Sequence, residues 1–141
     1  MFSEAILCMA VAIYFEARGE PFIGQMAVAQ VIVNRTQDER YPNNECSVVQ
    51  QGPTYTWAKH YPVRNKCQFS FYCDGKSDAP NRNSQAWNTA LMIATGAKFK
   101  MYYDVTEGAT HYHATYVNPS WAERKTKTVQ INDHIFYRWE K

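Results

Sequence analysis

Two glutamates four residues apart, Glu16 and Glu20, close the apolar run of IYFEARGEPFIGQ (residues 13–25), with Arg18 between them. Gly19 and Pro21 break the chain just beyond. A carboxylic acid that keeps its proton near neutral pH can donate it to a leaving oxygen, which is general acid catalysis. The end of a helix suits that task, because its partial negative charge disfavours an ionised carboxylate. Tyr14 and Phe15 add apolar bulk that desolvates the group and pushes the same way. Arg18 would oppose the shift by pairing with either glutamate. On spacing alone the pair fits solvated charges finishing an amphipathic helix better than it fits catalysis.

Other residues could contact a ligand. Gln68 and Ser70 lie in QFS, inside a polar segment and between Cys67 and Cys73. Their amide and hydroxyl could bond sugar hydroxyl or acetamido groups. In ATHYHATYV (109–117), an extended backbone puts His111 and His113 on one face and Tyr112 on the other. Tyr116 and Trp121 could stack on sugar rings or pack in a core. Asp74 and Asp104 suit turns and solvation. His134, in a turn-flanking position, reads as structural.

The elements that must position these residues follow from periodicity. Apolar positions recur with helical spacing over residues 4–17 and again over 23–36, with a tight corner at Gly19 and Pro21. Residues 37–82 are expected to be irregular, with a short helix at 46–51. So long a connection is usually functional. SQAWNTALMIATGAK (84–98) reads as a helix with Ser84 near its cap and Gly96 near its end. The last third is extended, with a hairpin over 128–139 turning at Asn132 and Asp133. Helices first and short strands later give an α+β fold, a single domain over residues 1–141.

Composition narrows the class. The net charge of +2 lacks the basic stripe of a nucleic-acid binder, so no nucleic-acid partner is expected. Aromatic residues make up 15% of the chain, a surplus that suits a core or a groove for sugar rings or bases. The N-terminal apolar stretch is short, Glu4 precedes it, and no small-residue cleavage site follows, so neither a signal peptide nor membrane insertion is expected. Cys8 falls in the apolar run and reads as an inert core thiol. Among Cys46, Cys67 and Cys73 at least two are expected to pair, either Cys67 with Cys73 or one of them with Cys46. No CxxC or HExxH spacing occurs, so no metal is expected.

The stretch AVAIYFEARGEPFIGQMAVAQVIVNR resembles the signature of cell wall hydrolases of the SleB/CwlJ type, which include spore cortex-lytic enzymes. The likeness continues in CQFSFYCDGK (67–76), ATHYHATYVNPSWA (109–122) and INDHIFYR (131–138). It departs at the hairpin turn, where the family commonly has glycine and this chain has Asn132. The resemblance implies a lysozyme-like or lytic-transglycosylase-like domain that cleaves peptidoglycan glycan strands at the MurNAc–GlcNAc bond. It implies Glu16 as the catalytic acid and base, with no cofactor. Glu20, Gln68, Ser70, Tyr112 and His113 are the expected substrate contacts, although Glu20 could equally serve the corner or Arg18.

Lytic transglycosylation needs one carboxylate, since the muramyl 6-hydroxyl replaces water and forms a 1,6-anhydro end. A water-using muramidase needs a second. Two further alternatives are a zinc amidase built on His111, His113 and cysteines, and a peptidoglycan-binding module without catalysis. The expected partner is the glycan strand and the expected state a monomer. Met1 stands so close to the domain that a phage endolysin is expected, made in the host cytoplasm and released to the periplasm and wall.

Overall fold

The computed structural model describes residues 2–141. The first helix, α1 (Glu4–Ala17), starts where the Ser3 side chain accepts a hydrogen bond from Ile6 N at 3.3 Å. After the corner, α2 (Phe22–Thr36) begins at Pro21, whose fixed φ suits a helix start. A short α3 (Glu45–Val49) is capped by Asn44, and α4 (Gln85–Lys98) by Ser84. All four helices lie within two residues of where the sequence puts them; α1, α3 and α4 carry side-chain caps, and α2 relies on its apolar spacing and the Pro21 start.

Helix α2 is central. Met26, Ala29 and Ile32 join Met9, Ile13 and Ile93 in one core with α1 and α4. On another side, Ala27 and Val31 meet Ala109, Ile131 and Phe136 of the sheet region. Burial on both sides explains a helix with apolar residues almost all round. Each fully buried Ile or Met contributes roughly 1.5–3 kcal/mol against leaving it in water.

The sheet is antiparallel, in the order β3 (His111–Ala114), β5 (His134–Arg138), β4 (Thr126–Ile131). The expected C-terminal hairpin is β4–β5, turning through Asn132 at φ 52°, a left-handed conformation that Asn tolerates. His111 lies opposite Tyr137 and Ala114 opposite His134, so β3 is an edge strand laid along β5.

Two polar residues of α2 hold the loop that leads into β3. Gln30 donates to Tyr103 O at 2.8 Å and accepts from Val105 N at 3.0 Å. Asn34 donates to Asp104 Oδ2 at 3.0 Å and to Ala109 O at 2.9 Å. Asp104 also accepts from Thr106 N and Gly108 N. It forms a turn, as its sequence suggests, but one tied to α2 instead of solvated.

Two expectations need correction, and one residue has an unexpected role. Residues 37–82 are not simply irregular: β1 (Thr54–Tyr55) and β2 (Ala58–Pro62) form a separate small hairpin, and Ser70–Cys73 make a 3-10 turn. Gly96 lies near the end of α4, as expected, but its role there is clearance: a Cβ at Gly96 would overlap the Tyr102 ring that lies across it. The left-handed residue beyond the helix is Lys100, at φ 53°. Cys8 is not a free core thiol. It bonds Cys46, with Cα atoms 5.2 Å apart, because its side of α1 packs on α3; Cys67 bonds Cys73.

Candidate active site

Glu16 occupies the last turn of α1, one residue before its end at Ala17. Arg18 does not pair with it. The guanidinium instead lies over the Tyr14 ring, 4.4 Å from its centroid, and closer to that ring than to Phe15. A cation–π contact thus engages the arginine that is Glu16's neighbour in sequence.

The polar partner of Glu16 comes from the far end of the chain. Tyr112, in β3, donates its hydroxyl to Glu16 Oε1 at 3.1 Å. Alternation along the strand turns Tyr112 inward, against His134 and Phe136, while its neighbours point the other way. Burial pushes the Glu16 carboxyl above the ordinary carboxylate range, and the Tyr112 hydrogen bond opposes this more weakly. Burial, together with the adjacent Glu16, holds the Tyr112 phenol well above its usual pKa, so it remains a donor.

Two adjoining hollows share Glu16. The first is lined also by Arg35, Gln68, Phe69, His111, Tyr112 and Trp121. The second is lined also by Gly19, Glu20, Tyr116, Asp133 and His134. A carboxyl common to two hollows can meet a bond whose two sides extend into both, as an acid acting within a polymer must.

The candidate contacts distribute unevenly. Gln68 and Tyr112 line the first hollow with Glu16, and Glu20 lines the second. Glu20 Oε1 lies 3.3 Å from His134 Nδ1, without hydrogen-bond geometry, and its backbone carbonyl accepts from Gln25. Burial lowers the His134 pKa, against the pull of Glu20. Ser70 is exposed at the start of the 3-10 turn and lines neither hollow. His113 lines neither hollow, with Nδ1 donating to Ala114 O at 2.7 Å and Nε2 accepting from Tyr137 at 2.9 Å.

Arg35, which sequence reasoning left out, and His111, which it weighed only as a possible metal ligand, also line the first hollow. Arg35 is buried, with Nε donating to Thr110 O at 2.7 Å and Nη1 without a partner. Its guanidinium lies over Tyr41 and Phe69, and burial lowers its pKa. The available signal was its position, four residues after Val31 and three after Ile32, which places a charge on a buried stripe. His111 sits beside Trp121 and Trp139, with ring centroids 5.0 and 5.8 Å away. Burial, with Arg35, Lys125 and Arg40 nearby, lowers its pKa to about 4, so it is neutral at neutral pH.

All four cysteines are committed to disulfides, and among the described residues no cluster of three His, Cys, Asp or Glu side chains is placed to hold a metal ion. No helix among them is long and apolar enough to cross a membrane.

The sequence profile of a family described as Cell Wall Hydrolase matches residues 19–137, beginning just after Glu16. A 51-residue stretch is 47% identical to a spore cortex-lytic enzyme of Halalkalibacterium halodurans, covering 36% of this chain and 16% of that protein. The same length is 43% identical to the spore cortex-lytic enzyme of Bacillus subtilis, covering 17% of it. The chain therefore matches only a fifth or less of the length of these curated relatives. Among solved structures, the catalytic domain of the germination-specific lytic transglycosylase SleB from Bacillus anthracis superposes with a TM-score of 0.73 at 27% identity, over 97% of both chains. The catalytic domain of Bacillus cereus SleB gives 0.68 at 27% identity, over 98% of this chain and 93% of that one.

Proposed function

The chain belongs to the cell wall hydrolase family, and on that premise we propose that it cleaves the MurNAc–GlcNAc bond of peptidoglycan as a lytic transglycosylase, with Glu16 as acid and base. The observation that carries this reading is a desolvated carboxyl at a helix end, bonded to Tyr112 and shared by two hollows. The likeness over nearly the whole length of a domain described as a lytic transglycosylase supports the same chemistry.

Protonated Glu16 gives its proton to the glycosidic oxygen as the C1–O bond breaks, leaving an oxocarbenium-like sugar and a carboxylate. The muramyl N-acetyl group can assist at C1. The carboxylate then takes the proton of the 6-hydroxyl as its oxygen bonds C1, which restores the acid and leaves a 1,6-anhydromuramyl end. No water enters. Tyr112 holds the carboxyl in one orientation and stabilises it in the interval when it is charged.

A second reading is a water-using muramidase, since Glu20 and Asp133 line one hollow with Glu16 and could hold a water. Mass spectrometry of digested sacculi separates the two. We expect anhydromuramyl ends from a digest that EDTA does not slow; reducing ends would assign the muramidase, and zinc-rescued inhibition by EDTA would remove Glu16 from the mechanism. Glu16→Gln should fold, bind sacculi and lose about 10²–10⁴-fold in rate. Near wild-type clearance by that variant would refute the assignment.

The place of action we propose is outside the reducing cytoplasm, in the periplasm or wall. Two disulfides suit an oxidising compartment, and the substrate lies there.

A further inference from the structure

The β1–β2 hairpin carries side chains that the fold does not use. Trp57, in its turn, is 80% exposed and Tyr61 67% exposed, while Tyr55 stacks on Trp57 with centroids 5.1 Å apart. Large aromatic rings held out in water contribute little to folding. Charge is concentrated at the same place. Residues 46–73 contain no Asp or Glu but include Lys59, Arg64 and Lys66, in a chain whose whole net charge is +2.

The hairpin is also fastened to the catalytic hollow. Val63 N donates to Pro53 O at 2.9 Å and closes its base, and Gln68 N donates to Gln51 O at 3.0 Å. Gln68 lines the hollow with Glu16. Gly52 packs so closely on Cys67 that a Cβ would lie 3.0 Å from its Cα, and the disulfide to Cys73 holds Cys67 in turn. The finger is therefore set in a fixed relation to the wall of the cleft.

We propose that this hairpin is a second glycan-binding element, which grips the peptidoglycan strand outside the Glu16 cleft. The inference rests on the peptidoglycan reading above. Apolar faces of sugar rings stack on Trp57 and Tyr61. Lys59 and Lys66 complement the carboxylates of the peptide stems, which make the polymer anionic. A polymer engaged at both places is held at a raised effective concentration at the cleft.

The test measures binding of the Glu16→Gln protein to purified sacculi by co-sedimentation, with and without Trp57→Ala and Tyr61→Ala together. Both rings are exposed, so the melting temperature should not change, and that is checked first. The expected result is binding weakened by about tenfold or more. Equal affinity with and without the two rings overturns the finger while leaving the cleft intact. An intact chain that neither binds nor solubilises sacculi overturns the peptidoglycan reading itself, and the finger with it.

Discussion

Tyr112→Phe removes one hydroxyl and leaves the ring that packs against His134 and Phe136. The hydroxyl donates at 3.1 Å to a carboxylate, a class of bond worth about 1.5–3 kcal/mol. One pKa unit is about 1.36 kcal/mol, so full loss corresponds to roughly one to two units. Glu16 keeps partial contact with solvent, which replaces some of the bond, so about one unit is expected. The sign follows from which form the bond favours. A donor stabilises the charged carboxylate, so its removal raises the pKa and Glu16 stays protonated to higher pH. The alkaline limb of the rate profile for sacculus clearing should therefore move up by about one unit in the variant. Its maximum rate should fall, because the carboxyl has lost its anchor and its charged intermediate form has lost a donor. A profile with an unmoved alkaline limb, at any maximum rate, would refute the assignment of that limb to Glu16 held by Tyr112.

Thiol titration of the denatured, unreduced protein should find none of the four cysteines free, and one or more titratable thiols would contradict the pairing. In urea unfolding, replacing the Cys8–Cys46 pair by serines should cost about 3–4 kcal/mol and replacing Cys67–Cys73 about 2, since the first closes a much longer loop. Gly96→Ala should destabilise the protein while Tyr102 is present, because the ring must leave its seat. In a Tyr102→Ala background the same change should stabilise it by about 0.5–1 kcal/mol, the ordinary preference of a helix interior for alanine, and a change of the same sign in both backgrounds would disprove the contact.

The features legible from sequence are those encoded locally. Helices α1 and α4 each carry an apolar period and a cap, α2 carries its period after Pro21, and the β4–β5 turn carries Asn132, which accepts the left-handed backbone. Glu16 stood out because a helix end, aromatic neighbours and a chain break fall together. What stayed hidden depends on contacts between distant elements. Cys8 finds Cys46 because α1 packs on α3, and nothing near either residue encodes that. Gly96 is a clearance for a ring six residues away, which imitates the glycine of a helix end. The β1–β2 hairpin turns at Thr56 and Trp57, with no Gly, Asn or Asp to announce it. Arg18 was read as an ion-pair partner, yet the aromatic ring one turn behind it prevailed.

The hydrogen bond between Tyr112 and Glu16 joins residues 96 positions apart, and Tyr112 is placed by pairing of its strand with residues 134–138. The acid thus lies in the first of the described helices, and its anchor depends on the last of the described strands. A growing chain that has already folded its helices carries Glu16 without its donor and without the Tyr112 wall of the cleft. The Glu16–Tyr112 pair then forms only once β5 has joined the sheet and fixed β3 beside it. A chain cut short before β5 would carry the Glu16 carboxyl without the strand pairing that places its hydrogen-bond donor.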